Sequence, residues 1–216
     1  MTLAFANAES ATQPISHIAS SDNPSGLTDI VREDINIAVW EREPLSVLTL
    51  AAQRLAAESP ALRWQCSGNL LALDAGLSEL LDTDPQSEHL RHDILLLADM
   101  TSCLFDHSTL GVRLSVLQQA MCPRYHVDRV HCRLITTYVG PGMQWLPNTA
   151  VDRTSVTAGP LALAPDSELP HQNVYPQSVA LCKGDRWPGN TGKGLIHRSP
   201  AVAANEQRVL LTIDLV

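Results

Sequence analysis

The feature that most restricts this chain is a change of pattern at Gly111. From there to Val216, short β-favouring stretches follow one another: Gly111–Leu117, His131–Val139, Leu161–Leu163, Gln177–Leu181, Gly194–His197 and Val209–Val216. Gly140-Pro141-Gly142, Pro147-Asn148, Gly159-Pro160, Pro188-Gly189-Asn190 and Ser199-Pro200 stand between them. Glycine enters turn conformations that other residues resist, and proline removes a ladder donor, so each cluster ends a strand. No helical period intervenes. Strands without crossover helices pair antiparallel, and many short ones together imply a sandwich or jelly roll.

The first half reads differently. Residues 1–26 are rich in Ala, Ser, Thr, Asn and Pro and lack periodicity, as a flexible lead-in does. Ile35–Trp40 alternates like a short strand. After Pro44, Leu45, Leu48, Ala51, Ala52 and Leu55 recur at helical spacing, and Leu90, Ile94, Leu97, Ala98 and Leu104 do the same between Ser87 and Asp106. The expectation is an α+β chain with a mainly β core. A largely helical portion, 27–110, packs on a jelly-roll core, 111–216, and 27–216 forms one compact domain.

Composition narrows the function. A net charge of −8 gives nothing to counterion release, so nucleic acid is a poor partner. No apolar run approaches the ~20 residues needed to span a bilayer, and the first residues lack the charged and apolar regions of a signal peptide. Cys66, Cys103, Cys122, Cys132 and Cys182 are odd in number, scattered and free of CxxC pairs. That usage suits reduced thiols in the cytoplasm.

The chemistry concentrates in Cys122-Pro-Arg-Tyr-His-Val-Asp128. Alternate residues of a strand share a face, so His126 and Asp128 would project together and occupy two adjacent positions on a metal. His197, ending a later β-favouring run, supplies a third ligand. Two histidines and a carboxylate on one face leave positions open, the arrangement that non-haem Fe(II) uses with O₂. Eleven positions on (208 − 197 = 11), Arg208 enters the last strand. Inside a β-core an arginine needs a carboxylate, and a 2-oxo acid chelating the metal would bring one.

The ordered set His126-x-Asp128, His197 and Arg208 resembles the signature of the Fe(II)/2-oxoglutarate-dependent dioxygenases. The resemblance implies a double-stranded β-helix (a cupin-like jelly roll), iron on the two histidines and the acid, and 2-oxoglutarate anchored by Arg208. More narrowly, Met121–Asp128, Thr137–Gly142 and His197–Pro200 resemble a bacterial domain-of-unknown-function family whose members tend to be encoded near zinc-homeostasis genes. This narrower likeness runs from about Ile35 to the end, departs at Met143, where a small polar residue is the rule, and specifies no activity.

Blander readings stand beside these. His126 and Asp128 also suit a surface pair at a strand end, and His197 a core histidine bonded to a carbonyl. Arg208 also suits a solvated edge residue. Tyr138 either meets a bound carboxylate or is a buried tyrosine satisfied by backbone. His131 is out of phase with Asp128 and falls outside the ligand set. Cys122 and Cys132 read better as small hydrophobes than as zinc thiolates. Trp145 and Trp187 either line a pocket or plug the barrel end, the role of Arg133 is open, and Lys183 sits in a turn where it can face the pocket. The leading expectation is an Fe(II)/2-oxoglutarate oxygenase acting on a small molecule or a protein. The alternative is a cupin-like protein holding Zn(II) or Ni(II) in metal homeostasis, because raw affinity favours those ions.

Overall fold

The computed structural model describes residues 17–81, 85–151 and 169–216. Its elements in order are β1 (Ile18–Ser21), a 3₁₀ segment (Pro24–Val31), β2 (Ile37–Trp40), α1 (Ser46–Glu58), β3 (Arg63–Gly68), α2 (Leu70–Leu80) and α3 (Pro85–Phe105). Then come β4 (Leu110–Leu117), β5 (Cys132–Val139), β6 (Gln144–Trp145), β7 (Gln172–Asn173), β8 (Val179–Lys183), β9 (His197–Arg198) and β10 (Arg208–Leu215).

Seven strands form one sheet in the order β1-β2-β8-β5-β10-β4-β3, and three form a second, β7-β6-β9. From β4 onward the chain passes back and forth between them. β4, β5, β8 and β10 lie in the large sheet, and β6, β7 and β9 in the small one. His126, between β4 and β5, joins the small sheet's edge through an antiparallel bridge to His197. β5, β10 and β4 are antiparallel neighbours, with a register shift at Val209/Leu210.

Strand alternation divides the large sheet into two faces. Val112, Leu114, Val116, Leu134, Val209, Leu211 and Ile213 pack with Leu48, Leu55, Leu90, Ile94 and Leu97 of the helices. Ile135, Ala180, Cys182 and Leu210 pack instead with Met143, Trp145 and Leu195 around the small sheet. The structure is therefore a helical layer, a large sheet and a small sheet, and the site lies between the two sheets.

The helical first half is more mixed than its pattern suggested. β1 and β2 extend one edge of the large sheet, and β3 closes the other. β1 falls within the expected lead-in: it pairs in parallel with β2, Ile18 opposite Ile37, and that ladder orders it despite its weak pattern. Two helices begin as expected, α1 after Pro44 and α3 near Ser87. α2 is capped by Asn69, whose side chain accepts from the Ala72 N–H at 3.0 Å, a contact worth about 1 kcal/mol. The strand expected at Leu161–Leu163 lies outside the described residues. Among those described, no helix is long and apolar enough to cross a membrane.

Candidate metal centre

His126-x-Asp128 lies on the connection between β4 and β5, not in a continuous strand as expected. One bridge does the positioning: the His126 N–H donates to the His197 carbonyl at 3.0 Å, and the His197 N–H returns the bond at 3.0 Å. Directly paired residues project to the same side. Their imidazole centroids are 4.6 Å apart. Downstream, the Asp185 N–H donates to the Asp128 carbonyl at 2.9 Å and the Ser199 N–H to the Cys122 carbonyl at 2.9 Å, fixing the loop at both ends.

Donor atoms of His126, Asp128 and His197 all lie within 4.8 Å of one another. Asp128 Oδ1 is 3.6 Å from His126 Nε2, and Oδ2 is 3.4 Å from His197 Nε2. Ligands sharing an octahedral ion with bonds near 2.1 Å are about 3 Å apart, so a small contraction gathers this set. The far side of each ring supports the same reading. His126 Nδ1 is 2.9 Å from the Arg124 carbonyl, and His197 Nδ1 is 3.1 Å from that of Leu195. A carbonyl only accepts, so Nδ1 carries the hydrogen, and in each neutral imidazole the Nε2 lone pair faces Asp128. Two lone pairs and a carboxylate converging on one point suit a cation.

Burial would raise the Asp128 carboxyl. The facing imidazoles and the Arg133 charge outweigh it and hold the group well below the usual carboxylate range. Burial would likewise depress His126, but the neighbouring Asp128 carboxylate and the Arg124 carbonyl leave it above its ordinary value. Arg133 is the residue whose role the sequence left open. Its Nη1 donates to Asp128 Oδ2 at 2.6 Å, while Nε and Nη2 grip Asp214 at 2.6 and 2.9 Å. Asp214, on β10 directly opposite Arg133, was absent from the expected site.

Arg208 shares a cavity with His126, His197 and Arg133, walled by Ile135, Met143 and Leu210. It is only 2% exposed. Nη1 donates to Ser199 Oγ at 3.3 Å and Nη2 to Thr137 Oγ1 at 3.1 Å, while Nε has no partner among the described residues. No carboxylate of those residues pairs with it, and burial pushes its guanidinium down to about 10. A buried cation of this kind fits the carboxylate of a bound acid.

Tyr138 does not join this group. On β5 it points to the helical face, where it is buried and its hydroxyl donates to Asp93 Oδ2 at 2.7 Å. Thr137, its neighbour, faces the cavity instead. Lys183 also lies on the helical side, donating to the Arg32 carbonyl at 2.6 Å and standing 4.7 Å from the centre of the Trp187 ring. Trp187 meets Phe105 edge-on there, so it plugs the helical side, whereas Trp145 is packed between the sheets opposite His197. Cys132 is buried with the helical core, which pushes its thiol up to about 12, as a small hydrophobe rather than a zinc thiolate.

No curated protein matches the sequence. Among solved structures, the chain is similar to the rice dioxygenase for auxin oxidation at 14% identity, over 88% of this chain and 77% of that one, with a TM-score of 0.56. It is similar to dioxygenase for auxin oxidation 1 from Arabidopsis thaliana, in its 2-oxoglutarate binary complex, at 10% identity, over 92% and 91%, again at 0.56. These likenesses establish a shared fold. A family model described as protein of unknown function (DUF1826) matches residues 21–214, and the chain belongs to that family.

Proposed function

We propose that this protein is an Fe(II)/2-oxoglutarate-dependent oxygenase built on a double-stranded β-helix. The observation that carries the reading is a cavity lined by two members of the His126–Asp128–His197 cluster, His126 and His197, and by a buried arginine, Arg208, that no carboxylate of the described residues pairs with. The chain's passage back and forth between two sheets supports the β-helix, and the 2-oxoglutarate complex of a protein sharing the fold supports the co-substrate.

In this reading His126 and His197 offer Nε2, and Asp128 a carboxylate oxygen. Arg208, steered by Thr137 and Ser199, takes the far carboxylate of 2-oxoglutarate. Ile135, Met143 and Leu210 exclude water from the space between. Iron with its co-substrate, once bound, supplies O₂ activation for oxidising a C–H bond. The substrate class is a small molecule or a protein side chain.

Anaerobic addition of Fe(II) and then 2-oxoglutarate tests this. A weak visible charge-transfer band is expected, lost in His126→Ala and formed only at much higher 2-oxoglutarate in Arg208→Met. Absence of a band in the wild type, with Zn(II) bound tightly and indifferent to 2-oxoglutarate, would favour a metal-handling protein instead.

A further inference from the structure

We infer that Arg133, braced by Asp214, is a positioning residue that restricts Asp128 to a single metal bond through Oδ1. The inference rests on the metal reading above and concerns how that site is kept open.

A carboxylate facing a metal can bind through one oxygen or two. Here Oδ2 accepts a hydrogen bond from Arg133 Nη1 at 2.6 Å, in a pair whose side chains are only 18% and 15% exposed. A short charge-assisted bond of this kind occupies a lone pair of Oδ2 and draws its charge toward Arg133, leaving Oδ1 the stronger donor. Oδ1, on the His126 side, receives no bond from Arg133.

Arg133 cannot easily swing away. Its Nε and Nη2 form a two-pronged bond to Asp214, whose side chain is 4% exposed and also accepts from Arg113 Nη1 at 2.8 Å. Asp214 pairs directly with Arg133 across β5 and β10, so the sheet register itself aims the guanidinium at the loop. Releasing Arg133 would leave Asp214 buried with one partner fewer, which is costly.

The consequence concerns open positions. With three single-point ligands an octahedral ion keeps three free positions, two for a chelating 2-oxo acid and one for O₂. A two-point Asp128 would take one of them. Arg133 thus protects the co-substrate's place by holding Asp128.

The test uses Mn(II) alone, which reports bound water through proton relaxation and needs neither turnover nor 2-oxoglutarate. Wild type is expected to hold Mn(II) with three exchangeable waters. Arg133→Met is expected to bind Mn(II) within roughly 10-fold of wild type while losing one water. Arg133→Lys, which keeps a donor near Oδ2, should restore it. Asp214→Asn loosens the brace and serves as the second variant, expected to lie between wild type and Arg133→Met. Equal water counts in wild type, Arg133→Met and Asp214→Asn would overturn the inference while leaving the metal site standing. No Mn(II) at this site in the wild type would overturn both.

Discussion

At the scale of single residues, the site is defined by where lone pairs and hydrogens point. Both histidines spend Nδ1–H on a backbone carbonyl, so replacing either removes an oriented donor. His126→Ala is expected to weaken Fe(II) or Mn(II) binding by at least ~100-fold, beyond the 10–100-fold that outer-shell changes cost, with the circular dichroism spectrum unchanged; titration calorimetry measures it. Arg208→Met should leave the metal affinity alone and weaken 2-oxoglutarate by roughly 30-fold or more, since losing a buried charge contact costs about 2–5 kcal/mol. The metal-free protein carries a pH signature. His126 is raised by Asp128, so its contribution is complete below its ordinary value of 6.5 and is lost as pH rises through the folded value. Asp128 is lowered, so its contribution is present above 3.8 and disappears as pH falls. Melting temperature should therefore peak between the two windows, and His126→Asn should remove the decline on the alkaline side. Metal affinity should rise over that same alkaline window as protons stop competing. That His126, Asp128 and His197 come together, with Arg208 beside the two histidines, was legible because their residue types, order and spacing are local or simple. Arg133 and Asp214 were not, because their pairing exists only once β5 and β10 fix their register. The available signal was a lone charge in each of two apolar runs, Cys132-Arg-Leu-Ile135 and Leu211-Thr-Ile-Asp214.

At the scale of elements, the β4–β5 connection bears His126 and Asp128 and is held by its neighbours. Gly184 packs against the carbonyls of Val130 and Asp128; a Cβ there would stand 2.6 Å from the Asp128 oxygen and nearer still to that of Val130. Gly184→Ala must displace backbone, so a folded variant with metal affinity reduced at least ~10-fold is expected, comparable to losing an outer-shell partner. On the opposite face, Arg42, Asp93 and Tyr138 join the β2–α1 connection to α3 and β5. Arg42 grips Asp93 at 2.6 and 2.9 Å, with side chains 8% and 9% exposed. Asp93→Ala would strand the arginine and cost about 3–5 kcal/mol, whereas Tyr138→Phe should cost about 1–2 kcal/mol and leave 2-oxoglutarate affinity unchanged; denaturant midpoints and calorimetry separate the two. Sequence pattern revealed α1 and α3 because each buries one apolar face, and β4, β5 and β10 because each is a long β-favouring run buried on both faces. It missed β3 and α2, and also β1, β6 and β7, which are two to four residues long and owe their order to partners distant in sequence. β7 is the extreme case, since Gln172 and Asn173 are both exposed and offer no apolar pattern at all.

At the scale of the whole molecule, the helices cover one face of the large sheet and leave the other free to form a cavity with the small one. The cavity draws His126 and His197 from the small sheet's side and Arg133 and Arg208 from the large sheet, so binding there ties the two sheets together. Metal alone at about 100 times its dissociation constant should add roughly 2.7 kcal/mol. For a chain of this size that raises the melting temperature by about 5–10 °C, and His126→Ala should abolish the rise. The central claim is that the three ligands and Arg208 hold the two ends of one metal–co-substrate assembly. Crystals grown with Fe(II) and 2-oxoglutarate under anaerobic conditions, measured at the iron absorption edge, test it most directly. The account predicts an anomalous peak within bonding distance of His126 Nε2, His197 Nε2 and Asp128 Oδ1, with the far carboxylate of 2-oxoglutarate on Arg208. Iron bound elsewhere, or 2-oxoglutarate turned away from Arg208, would contradict it.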